Sequence, residues 1–222
     1  MLGMKIVEKI FVAMVVAAME IATSVASAAA PLHPVTSGGT PLPPVDGPQG
    51  SDDFDATTLD PMWQWNHVPE DGAWSLSERK GWMRIRGRAG RPFFKTPNVL
   101  CQRVLQREDG ASVSVKVDGA RLRDGEAAGL ALFNGGRNYA IDGIVREDGK
   151  LKRFFEKDGE RTILGDVKGT VATLAWEVKG AACTSATEKM AEIRGANYRG
   201  INSGLYSTGL ADFDDFEMEY SK

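Results

Sequence analysis

Asp-Gly pairs recur between short apolar runs, at 109–110, 118–119, 124–125, 148–149 and 158–159. Asp and Gly tolerate the positive φ that tight turns between antiparallel strands require. The spacing therefore predicts strands joined by hairpins and leaves little chain for long helices. In ASVSVKV, Val113, Val115 and Val117 take one face while Ser112, Ser114 and Lys116 take the other, the period of a half-buried strand. WSLSE, WMRIRG, NVLCQRV, AAGLALF, NYAIDGIV, LKRFFEK, TVATLAWEV, SGLYST and DFEMEY read the same way. The pair at 148–149, between AIDGIVRE and KLKRFFEK, marks the clearest hairpin, and SATEKMAEIRG admits a turn or two of helix. Residues 51–222 are enough for two sheets around a shared core, so the fold class is all-β, an antiparallel sandwich or barrel.

The first fifty residues have a different texture. Lys5 and Lys9 precede the apolar run Ile10–Met19, and Ala26-Ser27-Ala28 has the small residues of a cleavage site. This predicts a signal peptide over 1–28, and hence a secreted or periplasmic protein with no membrane segment after cleavage. A spanning helix would need about 20 apolar residues. Residues 29–50 hold six of the ten prolines and read as a linker. The net charge of -3, with acids and bases interleaved, supplies no basic stripe for nucleic acid. In an oxidising compartment Cys101 and Cys183 are either a bridge or two buried thiols.

DDFDATTLDPMWQWNHVPEDGAWSLSERKGWMRIRG, residues 52–87, resembles the opening of the C-terminal β-sandwich of family 43 glycoside hydrolases, the β-xylosidase and arabinofuranosidase group. The family's "WQWNHNP" segment, its W-S-L strand and its G-W/Y-L-R-L strand all have counterparts here. Downstream, NVLCQRV, EAAGLALF and SGLYSTGLADFDDFEMEY are similar to its later strands, so the resemblance spans Asp52 to Tyr220. It implies a concanavalin A-like jelly roll. Val68 and Glu70 depart from the motif, and residues 180–197 fit it poorly. The five-bladed propeller that does the catalysis in such enzymes would not fit in the fifty residues ahead of Ser51.

Three roles follow. The first is a carbohydrate-binding module for plant cell-wall polysaccharide of the xylan or arabinoxylan type. Trp63 and Trp65, on one face of a strand, would join Asn66 and His67 in contacting sugar, although Trp63, Trp74 and Trp82 are also natural core residues. The second is a small glycoside hydrolase using Asp215, Glu217 and Glu219, spaced i, i+2, i+4, because glycoside cleavage needs two carboxyl groups flanking one bond. The third is a docking module for another exported protein, such as a separate glycosidase catalytic protein. Asp53, Asp212 and Asp214, at the two ends of the domain, would suit a structural calcium, which takes hard oxygen ligands.

Overall fold

The computed structural model describes residues 50–106, 108–134, 138–194 and 201–221. The expected signal peptide and all of the linker but Gly50 lie outside these residues. The strands are β1 (Gln64–Trp65), β2 (Trp74–Ser75), β3 (Met83–Arg86), β4 (Leu100–Val104), β5 (Ala111–Asp118), β6 (Ala127–Phe133) and β7 (Tyr139–Glu147). They continue with β8 (Lys150–Lys157), β9 (Glu160–Asp166), β10 (Val171–Lys179), β11 (Ala182–Ser185), β12 (Met190–Glu192), β13 (Ile201–Ser207) and β14 (Leu210–Tyr220). A single 3-10 turn, Phe93–Lys95, is the only helical element among the described residues.

The strands form two seven-stranded antiparallel sheets. Sheet 1 runs β1-β4-β13-β6-β7-β8-β9 and sheet 2 runs β12-β11-β10-β5-β14-β3-β2. The expected all-β sandwich is present. Asp148 and Gly149 both have positive φ, 52° and 73°, and join β7 to β8 in the expected hairpin. The domain's start meets its end, since Asp52 and Phe216 exchange backbone hydrogen bonds of 2.8 and 2.9 Å.

The segment SATEKMAEIRG is not helical where it is described. Its Met190–Glu192 forms β12, which pairs with β11 at the edge of sheet 2. Residues 195–197 of the poorly matching region lie outside the described residues.

The main core lies between the sheets. It takes Val113, Val115 and Val117 from β5, Leu130 and Leu132 from β6, and Phe213 from β14. Trp176 of β10 is fully buried there and donates its indole N–H to the Leu130 carbonyl of the opposite sheet, 2.9 Å away. A second apolar layer lies on the other face of sheet 1. Phe93 stacks on Tyr139 (4.5 Å between centroids) and meets Phe133 edge-on (5.2 Å), with Tyr206 and Phe154 in the same cluster. Cys101 belongs to this second layer and Cys183 to the main core, and both are free thiols. The two cysteines thus take the buried-thiol alternative, and burial pushes them up, to about 12 and about 11.

Candidate functional site

Five connections cross between the sheets at one end of the sandwich: 66–73 (β1 to β2), 87–99 (β3 to β4), 119–126 (β5 to β6), 167–170 (β9 to β10) and 208–209 (β13 to β14). Backbone hydrogen bonds tie them together. Gly87 donates to the Gly209 carbonyl (2.6 Å), Arg86 to Ala73 (2.8 Å) and Thr208 to Ala127 (2.8 Å). Loops gathered at one end of a rigid sandwich are free to vary and to carry function.

The expected sugar-facing residues separate into two groups. Trp63 does not face sugar but takes the core alternative, since it is only 6% exposed. It precedes β1 rather than sharing the strand, because its N–H closes a turn onto Asp60 (3.0 Å). Its indole N–H binds the Asp52 carboxylate at 2.7 Å, and its ring packs on Phe54 and Phe216. Trp65 is half-buried and its ring lies 5.7 Å from that of Trp74, so the pair closes the edge of the sandwich where β1 and β2 end the two sheets. Trp82 is half-buried on the surface with the Arg79 guanidinium 3.7 Å above its ring, not in the core.

Asn66 and His67 follow Trp65 into the first crossing loop. The Asn66 N–H binds the Val99 carbonyl (2.9 Å), and exposed His67 has Nε2 2.6 Å from the Phe94 carbonyl. That contact makes Nε2 the protonated nitrogen and leaves Nδ1 free to accept. Asn98 braces the loop from below. It sits at a φ of 63°, its side-chain oxygen accepts from the Glu70 N–H (3.0 Å), and its amide donates to the Arg86 carbonyl (3.1 Å). Arg86 in turn holds the Gly72 carbonyl at 3.2 Å. Sequence reading missed Asn98 and Arg86; Asn before a buried Val-Leu pair is the kind of residue that accepts a positive φ, and this was the available signal.

Next to this loop a cavity of about 500 Å³ opens, lined by Arg86, Gly87, Arg121, Arg123, Glu126, Gly209 and Leu210. The strand reading passed over Arg121 and Arg123. Their signal was Arg-Leu-Arg, two charges flanking a side chain, Leu122, that is buried.

The acids of the last strand divide differently from expectation. Asp212 is buried under two arginines: Arg84 holds both its oxygens (2.7 and 2.9 Å) and Arg79 bridges it to Asp118 (2.9 and 2.7 Å). Burial raises its pKa, and these hydrogen bonds together outweigh burial and hold it below the usual carboxylate range. Asp212 is therefore committed to arginine and does not join Asp53 and Asp214. Among the described residues no group of three His, Cys, Asp or Glu side chains is arranged to hold a metal ion, so the donor set for the expected calcium is not assembled.

At Asp214–Glu217 the register slips by one residue. Asp214 pairs with Lys116 and Glu217 with Ser114, so Asp215 is the extra residue of a bulge, at a φ of 46°. Asp215, Glu217 and Glu219 point away from the core, and Asp215 pairs with Lys116. Asp215 and Glu217 line a wide depression of about 530 Å³ beside the Ser51–Pro61 lead-in.

Comparison with known proteins supplies the affiliation. Residues 51–168 match the model of the family described as "Beta xylosidase C-terminal Concanavalin A-like domain". The chain belongs to this family. A curated relative, the "Beta-xylosidase" of Formosa agariphila, is 31% identical over 142 residues, covering 54% of this chain and 24% of that protein. A "Non-reducing end alpha-L-arabinofuranosidase" of Bacteroides ovatus is 25% identical over 194 residues, covering 75% of this chain and 36% of that one. The chain thus spans between about a quarter and about a third of these relatives. Among solved structures, a "Bifunctional GH43-CE" protein of Bacteroides eggerthii superimposes with a TM-score of 0.66 at 27% identity, covering 80% of this chain and 26% of that one. The chain is related to the accessory C-terminal domain of family 43 xylosidases, and the fold is the concanavalin A-like sandwich that the sequence resemblance implied.

Proposed function

We propose that this beta-xylosidase C-terminal family member is an exported carbohydrate-binding sandwich that contacts xylan or arabinoxylan through Trp65, Asn66 and His67 and serves a glycosidase catalytic domain. The observation that carries the reading is the loop beginning at Trp65. A half-buried indole is followed directly by Asn66 and by exposed His67, whose free ring nitrogen can take a sugar hydroxyl, and all three are braced from Val99, Phe94 and Trp74. Indole offers an apolar face to sugar C–H groups, while the amide and imidazole supply directional hydrogen bonds beside it. The braced backbone limits the ordering cost of binding. The names of the relatives, a beta-xylosidase and an arabinofuranosidase, favour a pentose-containing polysaccharide over other glycans.

The test is affinity electrophoresis in gels containing soluble arabinoxylan. The wild-type protein is retarded. His67→Ala and Asn66→Ala, both at positions outside the core, lower the retardation at least several-fold while leaving the denaturation midpoint close to that of the parent. A wild-type protein that migrates identically with and without arabinoxylan overturns the reading.

A further inference from the structure

We propose that the pocket beside the Trp65 loop is a subsite for a sugar carboxylate, so that the glycan this domain prefers carries uronic acid. The inference deepens the carbohydrate-binding reading and rests on it. The pocket's volume of about 500 Å³ lies within the range of small-ligand sites, about 300–1,000 Å³. Three guanidinium groups and one carboxylate line it, in a chain whose net charge is -3. Arg86 is already paired with Glu78. Arg121 and Arg123 are exposed and, like Arg91 and Arg103, make no ion pair among the described residues, whereas Arg79, Arg84, Arg88, Arg153 and Arg161 all do.

The two free arginines stand on a loop that is fixed before any ligand arrives. Leu122, between them, is buried. Arg146 fastens the loop from behind by donating to the carbonyls of Leu122 (2.6 Å) and Gly119 (3.1 Å). Asp118 holds the Ala120 N–H (2.9 Å). A guanidinium is a planar fork that matches a carboxylate, and placing it on a rigid loop reduces what binding must order. The floor is bare backbone. A Cβ on Gly87 would run into the Ser207 carbonyl, and one on Gly209 would run into the Glu126 side chain.

Glu126 decides which anion fits. One of its oxygens accepts the Arg123 backbone N–H at 2.8 Å, which leaves the other to accept a further proton donor. A uronic acid presents a carboxylate to the arginines and hydroxyl donors to Glu126. Fully ionised phosphate or sulfate presents acceptors alone and is repelled by Glu126. Leu210 adds an apolar wall for the sugar ring. Arg86 joins this pocket to the Trp65 loop through the Gly72 carbonyl, so one glycan chain reaches both.

Two measurements test the proposal on the same protein. In the first, amide shifts are followed by NMR while D-glucuronate, D-glucose or an aspartate-rich peptide is added. Glucuronate moves Gly87 and Gly209, and glucose does not. In the second, glucuronic-acid-substituted xylan and neutral xylan are compared by affinity electrophoresis at low salt. The wild type is retarded about tenfold more strongly by the acidic polymer, the preference disappears in the Arg121→Gln/Arg123→Gln double variant, and retardation by neutral xylan is unchanged. Lys179→Gln, at the far end of β10, removes a charge elsewhere and keeps the preference. Equal responses to glucuronate and glucose overturn the proposal, as does tighter binding of the peptide than of glucuronate at these amides. Neutral xylan bound without any preference for the acidic polymer refutes this subsite alone. Glucuronate shifts without retardation by any xylan refute the xylan reading and leave the carboxylate subsite standing.

Discussion

In β6 every residue from Ala127 to Phe133 is buried, whereas in β5 the buried valines alternate with half-exposed Ser112 and Ser114 and exposed Lys116. The two strands lie in different sheets, and the difference extends to each sheet's outer face. Sheet 2 turns serines and ion pairs outward. Sheet 1 carries a second aromatic layer on its outer face, from Phe93 and Tyr139 to Phe154. Charge is buried there too, with Glu156 accepting from the Tyr139 hydroxyl (2.9 Å) and from Arg161 (2.9 Å), whose guanidinium lies 4.1 Å above the Phe154 ring. A sandwich therefore need not have one core: here sheet 1 is packed on both sides, and only sheet 2 shows the one-sided pattern of a half-wet sheet.

The strongest attempt to break this comparison is to truncate one side chain in each outer face. Phe154 is fully buried in the second layer, and Phe154→Ala is expected to cost about 3–5 kcal/mol, as a main-core aromatic would. Ser114→Ala, on the outer face of sheet 2, is expected to stay within about 0.5 kcal/mol of the parent. Urea midpoints measure both. A Phe154→Ala protein as stable as Ser114→Ala would mean that the second layer is a surface rather than a core.

The comparison sharpens at two buried aspartates. Asp142, 0% exposed, lies between the sheets, where Arg153 holds both its oxygens (2.8 and 2.6 Å) and the Ala175 N–H of β10 reaches it at 3.4 Å. Burial lifts its carboxyl to about 6, against the pull of this single arginine. Asp212 is less buried, and two arginines depress it. Lighter burial and a second cation together give Asp212 the opposite sign. The pH dependences are accordingly opposite. The share of stability tied to protonated Asp142 is complete below the unfolded value of about 4 and is lost as pH rises through about 6. The share tied to ionised Asp212 is present above about 4 and is lost as pH falls through its lower folded value. Denaturation midpoints from pH 3 to 7 follow both. Relative to Asp142→Asn, the wild type loses roughly 1–3 kcal/mol between pH 4 and 6. Relative to Asp212→Asn, the wild type gains stability as pH rises along the acidic limb and levels off above about pH 4. Two variants whose differences from wild type drift in the same direction would refute the assignment.

The sheet-2 pattern was legible and the sheet-1 pattern was not, for a physical reason. Alternation in ASVSVKV fixes a strand with one wet face from local chemistry alone. AAGLALF identifies a strand, but its outer face is covered by Phe93, which arrives from a connection nearly forty residues earlier in the chain, and no local pattern encodes that. Trp63 takes its core alternative rather than the sugar-facing one because Trp-Gln-Trp is not one strand. The strand begins at Gln64, and the preceding turn onto Asp60 sends the first indole inward. SATEKMAEIRG carries helix-forming residues, yet pairing with β11 at the sheet edge overrides propensity. Asn66 and His67 were legible as candidates, whereas the arginines of the neighbouring pocket became visible only when the crossing loops were brought together.

The smallest expected effect concerns the outer acids of sheet 2. Lys116 pairs with Asp215 on the bulge and also faces Asp214 and Glu217, and these charges raise its pKa. The pair is exposed, so its attraction is screened by water and salt. The bulge has other supports. Phe216, the next residue, is buried in the core and exchanges both backbone hydrogen bonds with Asp52. Lys116→Gln is therefore expected to leave the urea midpoint unchanged at about 0.15 M salt and to lower it only slightly when salt is removed, as the neighbouring acids lose their counter-charge. A loss as large as that of Asp212→Asn would show that the ion pair, rather than the burial of Phe216, holds the register slip. The wet face of sheet 2 would then be as structural as the covered face of sheet 1.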